Sequence, residues 1–552
     1  MRRVLVLSLA VIALMGMIAP SSYAQATAAP APTFKITGLI DTVTNVNKNL
    51  QNANYTRDGD KEWYSRNRTR FSITGQVGKA IGVIGFEIDT AWGQVSASDT
   101  NTTTTAAGTA QRIATTSAFD LNTDTQGSLE LKSLYVEYDV PLIPFPTRMR
   151  IGAQPFTATY KYGVLASGDF AGVNVDTTFA PNVKTHFTYV QIEEELTGGG
   201  TGGGTVPGAT TTFVRGDDFA IIASVEVTPI RGLDLRPTYA LLWAQGATST
   251  SARSTAGGIP GAGGTPTFVA KPIGNTGTGV AGHTATHEEW RHTIGIDSRW
   301  RSGPISIEPT FFYQFGTREI DNPFGTPGSN AIRESDISAW FFDLIAGYRV
   351  GPVLLEGRYV YTSGNRPRDQ LSRDTNYYQP IDADSSYGLG WGNITALGID
   401  YNNGNIRTMG SGIGLDRYGR QQFALRGTYS VSPTLDIYGL VTPLWTARSV
   451  DTDGTQVPGI LFVGSPTNCS SHSANSAAQP RGAGCRGDSS YIGTEANIGT
   501  TWRFAPGLTF DLVYGYLFAG DALDSSEVLN GVLTRRDAQD IYTGTARVRF
   551  TF

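Results

Sequence analysis

The sequence predicts an all-β fold, a transmembrane antiparallel up-and-down β-barrel of about eighteen strands, and two observations carry that prediction. Segments of about ten to fifteen residues in which apolar and polar residues alternate recur along the chain. The connectors between these segments are alternately very short and very long. The chain also starts with what reads as a secretory signal and stops on an alternating strand, Arg547 to Phe552, that ends in an aromatic residue. Bacterial outer-membrane barrels have short periplasmic turns, long extracellular loops and an even strand count.

The first residues have the three parts of a signal peptide. Two arginines precede an apolar run over Val4 to Ala19, and Ser22-Tyr23-Ala24 is a small-x-small cleavage site. We therefore expect a signal peptide over 1–24 and a single barrel domain over 25–552. The apolar run is short for a spanning helix, and no later run is longer. A mature chain in a bilayer would then need a closed barrel to satisfy its backbone hydrogen bonds.

Charge and cysteine content narrow the class of protein. Removing residues 1–24 takes away two arginines and no acids, so the formal net charge of −5 becomes −7, and no basic excess indicates a nucleic-acid partner. Cys469 and Cys485 lie in one polar stretch, which suits a single loop disulfide in an oxidising compartment. Two free thiols are the alternative.

The strand count comes from the short connectors, which contain residues that preset turn dihedrals or tolerate positive φ. They lie near Gly78-Lys79, Pro141 to Thr147, Ala180-Pro181-Asn182, Pro229 to Gly232, Ser302-Gly303-Pro304, Gly351-Pro352, Ser432-Pro433 and Ala505-Pro506-Gly507. Eight hairpins, a first strand near 34–46 and a last strand near 540–552 give eighteen. The stretch 364–419 is ambiguous because Ile394 to Tyr401 fits a loop helix, a loop strand or part of an extra hairpin, which leaves sixteen or twenty strands as alternatives.

Alternation places polar and apolar side chains on opposite faces, most clearly in 66–77, 290–301, 338–350, 508–518 and the last strand. A soluble β-sandwich alternates too. Aromatic residues near the margins of the apolar stripes favour the membrane barrel, because amphipathic rings sit at the headgroup level. They are Trp92, Trp243, Tyr361, Trp445, Trp502 and Tyr542.

The polar faces predict a charged lumen. A charge on the lipid face near the midplane costs roughly 2 to 4 kcal/mol, so the charged faces should point inward. Such a barrel is also too wide for side chains to fill, so we expect water inside. The predicted pore-lining residues are Arg66, Arg68, Arg70, Glu87, Asp89, Glu137, Arg148, Arg150, Arg291, Asp297, Arg299, Asp343, Arg349, Glu356, Arg358, Arg547 and Arg549. We also expect a loop over 157–168 to fold inward and narrow the opening.

The arginines at 66, 68 and 70 and those at 547 and 549 lie on the two strands that flank the first strand. They predict a positive wall and a weak preference for anions. The alternative is that these arginines pair with lumenal acids and mainly hold the wall rigid.

Other chemistry finds little support in the sequence. His283 and His287 precede two glutamates, but they end a Gly/Thr-rich loop, where helical spacing has little force for a metal site. We find no nucleophile with a positioned base, no Walker loop and no dinucleotide fingerprint. We therefore expect no enzymatic activity, no metal and no cofactor.

A resemblance joins these observations. Leu131 to Tyr138, followed by Arg148 to Phe156, resembles the paired strands of many outer-membrane porins, including the alginate-export-like family of eighteen-stranded barrels. Ala153 stands where the family pattern often has Arg. The resemblance covers about thirty residues and implies a pore in the outer membrane of a Gram-negative-type bacterium, without fixing the solute.

The function expected from the sequence is passive diffusion of small hydrophilic solutes. Export of an anionic polysaccharide and a structural or adhesive barrel with a blocked lumen are the alternatives. The expected partners are outer-membrane lipid and lipopolysaccharide, the barrel assembly machinery through Phe552, small hydrophilic solutes and, as one oligomeric option, two further copies in a homotrimer. Nucleic acid is not expected.

Overall fold

A computed structural model gives the structure of the chain. It describes residues 30–49, 61–92, 129–193, 218–245, 288–321, 332–366, 374–381, 390–396, 398, 418–450, 489–529 and 532–552. The predicted signal peptide and the predicted disulfide between Cys469 and Cys485 lie outside these residues.

Eighteen long strands form one sheet. They are β1 Thr33–Lys48, β2 Lys61–Val77, β3 Ala80–Ala91, β4 Glu130–Asp139, β5 Thr147–Thr157, β6 Ser167–Ala180, β7 Val183–Glu193, β8 Asp218–Ile230, β9 Leu233–Gln245, β10 Glu288–Ser302, β11 Ile305–Asp321, β12 Ile332–Val350, β13 Val353–Thr362, β14 Arg420–Ser432, β15 Leu435–Val450, β16 Ser489–Ala505, β17 Leu508–Ala519 and β18 Ile541–Thr551.

The sheet closes on itself. Each long strand pairs antiparallel with its neighbours in sequence, and β18 pairs with β1 from Leu39 opposite Thr551 to Lys48 opposite Tyr542. Beyond the ladder, the Gly38 N–H donates to the Phe552 carbonyl oxygen at 2.9 Å. The predicted fold class, an antiparallel barrel of eighteen strands, is confirmed.

The short turns fall where the sequence predicts them. They occupy 78–79, 140–146, 181–182, 231–232, 303–304, 351–352, 433–434 and 506–507. Local chemistry explains the agreement, because Gly78, Gly232, Gly303, Gly351 and Gly507 all have φ between 54° and 85°. That region favours a residue without a Cβ.

The ambiguous stretch between β13 and β14 adds no strand to the barrel. Its Asp374–Thr375 forms a two-residue strand that pairs parallel with β12, and Ile394 to Ala396 lies in irregular backbone. Between β17 and β18 lie a 3-10 turn, Asp521–Leu523, and a small hairpin, Ser525–Leu529 with Val532–Arg536. Among the described residues, no helix is long and apolar enough to cross a membrane.

Burial along the strands is inverted relative to a soluble protein. In β14, Arg420 and Gln422 are each 1% exposed, whereas Phe423 and Leu425 on the opposite face are 44% and 56% exposed. Soluble proteins rarely bury an arginine and expose a continuous apolar wall. The apolar face is therefore the outside of the barrel and the polar face is its lumen.

The seam between β1 and β18 yields a prediction. A Cβ on Gly38 would lie 2.5 Å from the Arg70 carbonyl oxygen and 2.8 Å from the Phe552 ring. We expect Gly38→Val to destabilise the barrel by about 1 to 3 kcal/mol through overpacking. The measurement is the folded fraction after refolding, read from the migration of unheated samples in SDS gels. Gly82→Val is the matched control, since a Cβ on Gly82 meets nothing within 4 Å. Equal folded fractions for the two variants would contradict the prediction.

Candidate functional site

Among the residues that the structure describes, three stretches of chain leave the wall and lie inside the lumen. The first inward segment, 158–166, connects β5 to β6 and coincides with the loop expected over 157–168. The second inward segment, 374–381, and the third inward segment, 390–396, both belong to the connection from β13 to β14. Each is held by side chains of distant strands, so the lumen of this barrel is partly filled by its own chain.

Lys161 anchors the first inward segment. Its ammonium group donates to the carbonyl oxygens of Glu308 and Asp343, at 2.5 and 2.8 Å, and lies 3.3 Å from the Asp343 carboxylate. Burial lowers the pKa of Lys161, and the nearby Asp343 carboxylate opposes that shift. A lysine taken out of water in this way needs the acceptors that surround it.

Tyr160, beside Lys161, reaches the same side of the barrel. Its backbone N–H donates to the Asp297 carboxylate at 2.5 Å, and Thr310 donates to the other oxygen of that carboxylate. The Tyr160 ring contacts two guanidinium groups, those of Arg236 at 4.3 Å and Arg299 at 4.1 Å from the ring centroid. Such cation–π contacts add to the fixation of the segment.

The first and second inward segments pack together into an apolar core inside the barrel. The Tyr378 hydroxyl donates to the Val164 carbonyl oxygen at 2.7 Å, and its ring stacks on Phe341 of β12 with centroids 5.0 Å apart. The Ile381 N–H donates to the Leu165 carbonyl oxygen at 2.8 Å. This core covers lumenal side chains of strands from β7 to β13, which are Val190, Ala220, Ile222, Ala240, Leu242, Phe312, Ala339, Phe341 and Val360.

The third inward segment is held through its backbone by one buried carboxylate. Glu495 on β16 accepts hydrogen bonds from the successive N–H groups of Asn393, Ile394 and Thr395, at 2.6, 2.9 and 3.0 Å. It also accepts one from the Thr395 hydroxyl at 2.6 Å. Consecutive N–H groups that converge on an anion form a backbone nest. The charge of Glu495 thus fixes the segment to the wall.

Wall side chains also bind the carbonyl groups of the third inward segment. Arg358 donates to Gly390 at 2.6 Å, Gln422 to Trp391 at 2.5 Å and Arg420 to Thr395 at 2.6 Å. Gly390 has φ +89°, and a Cβ there would lie 1.6 Å from the Gln422 side chain. Only glycine fits this approach of backbone to wall.

All but two of the predicted pore-lining residues fall into two groups. One group forms ion pairs between neighbouring wall strands, mostly across the barrel seam and β2 to β5. Its pairs are Arg68–Asp89, Arg70–Glu87, Arg148–Glu137, Arg150–Glu137, Arg299–Asp234, Arg426–Glu356, Arg547–Asp511 and Arg549–Asp41. Arg66 is buried on the lumenal face of β2, and Arg349 is exposed at the end of β12 next to the short turn 351–352.

The other group lies beneath the inward segments. Asp297 and Asp343 are fully buried and bind the first inward segment, while Arg291 and Arg358 bind the second and third. That these four residues line a water-filled pore stays a prediction.

Sequence reasoning missed several residues that build this interior. The predicted site residues do not include Lys161, Trp391 or Arg420. The sequence also does not predict that Glu495 anchors the third inward segment. Alternation predicts the lumenal face of Arg420, but not what covers that face. The pair Gly390 and Gly392 in a polar stretch was the one available signal of a close backbone approach.

Comparisons with known proteins give a structural likeness alone. No family model and no curated protein matches the chain. Among solved structures, Acinetobacter baumannii OccAB4 is similar at 9% identity and a TM-score of 0.47, covering 94% of this chain and 98% of its own. Pseudomonas aeruginosa OccK8 (OprE) is similar at 10% identity and a TM-score of 0.44, covering 94% of this chain and 98% of its own. Pseudomonas aeruginosa OccD3 (OpdP) is similar at 12% identity and a TM-score of 0.41, covering 95% of this chain and 93% of its own. Function is therefore inferred below from the barrel's own walls and interior.

The nest around Glu495 yields a prediction for the third inward segment. In Glu495→Gln, a neutral amide replaces the charged acceptor, and its NH2 group cannot accept from backbone N–H groups. We expect amide hydrogen exchange across 390–396 to rise by about tenfold or more, as for the loss of a hydrogen bond to a charged group. Asp436→Asn is the control, because its partner Arg503 is half exposed and Asp436 lies six residues along β15 from Thr442, the residue opposite Glu495. Unchanged exchange in Glu495→Gln would show that the carboxylate does not hold the segment.

Proposed function

We propose that the chain is an outer-membrane channel for passive diffusion of small hydrophilic solutes in a Gram-negative-type bacterium. The observation that carries the proposal is the sorting of the wall, apolar outside and charged inside, in a closed barrel of eighteen strands. In lipid, only a closed barrel satisfies the hydrogen bonds of strand backbone. Side chains of its wall cannot fill a barrel of this size, so water enters wherever inward segments leave space.

The route proposed for solutes runs along β2 to β6. The contacts of the inward segments described above are with strands from β7 to β16. Their apolar core also packs on Phe156 at the end of β5 and Phe170 near the start of β6, so the segments fill mainly the other side of the lumen. The β2 to β6 side carries partly exposed charged side chains. Among them, the side chain of Arg70 is 42% exposed, that of Asp89 32%, that of Arg150 29% and that of Asp169 34%. Charges at a water-filled wall can replace part of a solute's hydration.

We also propose a weak preference for anions, on the basis of how the ion pairs are oriented. Pairing neutralises most of the positive wall expected from the arginines, but in most of the ion pairs the arginine side chain is more exposed than its carboxylate partner. The Arg70 side chain is 42% exposed and Glu87 5%, and Arg549 is 25% exposed and Asp41 1%. Arg68 and Asp89 have the opposite order, at 10% and 32%. The exposed surface of the lumen is therefore richer in positive groups than the numbers of paired basic and acidic residues alone would suggest.

The test of the channel is liposome swelling with neutral sugars. We expect proteoliposomes with the refolded barrel to swell in small sugars, and the rate to fall steeply as the sugar grows, because passage is by diffusion through a narrowed lumen. A folded barrel that gives no swelling with the smallest sugar would contradict the proposal.

That negative outcome would favour a structural or adhesive barrel with a blocked lumen. The apolar core formed by the first and second inward segments is the observation that supports this second candidate. Export of an anionic polysaccharide, the other alternative, predicts that uronate oligomers enter the lumen and block the swelling. The assembly partners stay predictions: lipopolysaccharide around the wall, assembly machinery at Phe552 and a homotrimer.

The proposed anion preference is tested by reversal potential in a potassium chloride gradient. We expect chloride to be somewhat more permeant than potassium, and Arg70→Gln to bring the permeability ratio closer to one, because it removes an exposed positive group from the route. Lys79→Gln makes the same charge change in the β2–β3 turn, where the side chain is 82% exposed, and should leave the ratio unchanged. Cation preference in the unmodified protein would refute the proposed selectivity.

A further inference from the structure

Two of the inward segments are joined by a single wall carboxylate. Asp343 on β12 is fully buried in the lumen and accepts hydrogen bonds from two cations. One is Lys161 of the first inward segment, with the ammonium nitrogen 3.3 Å from Oδ1. The other is Arg358 of β13, whose Nε lies 3.1 Å from Oδ1 and 3.2 Å from Oδ2.

Arg358 carries the connection on to the third inward segment. Its Nη1 donates to the Gly390 carbonyl oxygen at 2.6 Å, and its guanidinium carbon lies 5.8 Å from the centroid of the Trp391 ring. A continuous set of hydrogen bonds therefore runs from Lys161 through Asp343 and Arg358 to Gly390. Two stretches that are remote in sequence are thus linked through one carboxylate.

We propose that Asp343 is a positioning residue, which sets the places of the first and third inward segments together and through them the cross-section of the lumen. The second part of this inference rests on the proposed channel function. The first part is a statement about the interior of the barrel and holds whether or not the barrel conducts.

Charge explains why this one residue matters to both segments. Asp343 is the acceptor shared by two buried cations, and without its charge Lys161 and Arg358 would repel each other in a site with little water. The strain would be relieved by moving the parts that can move. The wall itself is held by the backbone ladder, in which Asp343 pairs with Thr310 on one side and Val360 on the other. The inward segments are therefore expected to shift while the barrel stays closed.

The test compares Asp343→Asn with Asp511→Asn in the full-length barrel. Asp511 is also a buried lumenal aspartate paired with an arginine, Arg547, but the contacts described for it involve only wall residues. We expect amide exchange in Asp343→Asn to rise by about tenfold or more in both 158–166 and 390–396, the order expected for losing hydrogen bonds to a charged group. Asp511→Asn should change neither segment, and Asp343→Glu should restore protection in part. Faster exchange in one segment only, or in neither, would overturn the proposal.

A double-mutant cycle covers the case in which Asp343→Asn does not fold. Lys161→Met and Arg358→Met, alone and together, should have non-additive effects on the exchange of both segments, because the two cations share one acceptor. Additive effects would overturn the proposal.

Conductance separates this inference from the proposed function. If the unmodified barrel conducts, Asp343→Asn should change its single-channel conductance by about twofold or more relative to Asp511→Asn, as expected when a charged constriction is rearranged. If the unmodified barrel does not conduct, the channel proposal fails, while the exchange experiment still decides the positioning role.

Discussion

The backbone hydrogen bonding of the wall is the constraint on which the rest of this structure depends. Each N–H and C=O group of a strand in hydrocarbon must find a partner within the sheet, because lipid offers none. The eighteen strands meet that requirement by closing at the β1–β18 seam, where the ladder extends to the exchange of hydrogen bonds between Gly38 and Phe552. Closure then fixes an outside and an inside, and every side chain is assigned to one of them by alternation.

The inside presents a different problem, because a ring of this size leaves a space that its wall cannot fill. The chain fills part of it with three segments that bring backbone into the lumen, where polar groups again need partners. Buried wall side chains supply them: Glu495 accepts from three successive N–H groups, and Arg358 and Arg420 donate to carbonyl groups. Charged residues of the wall thus occur in two settings, since those under the segments bind protein and those on β2 to β5 form ion pairs between neighbouring strands.

Local signals made the wall predictable from the sequence. Gly351 and Gly507 mark turns because glycine itself tolerates positive φ. Alternation places Arg420 and Leu425 on opposite faces because the period of a strand is two. The interior was less predictable because it is built from contacts between distant parts of the chain. Lys161 lies in a short loop with no periodic pattern, and nothing near it in sequence indicates that Asp343 is its partner. Alternation likewise assigns Asp343 to the lumen without saying whether water or protein covers it there.

The most direct test of the central claim, a closed wall around a lumen that is narrowed but open, is a recording from single refolded barrels in a planar lipid bilayer. The account predicts discrete and stable current steps of uniform size. Barrels that insert as folded species and carry no current at any voltage would contradict it.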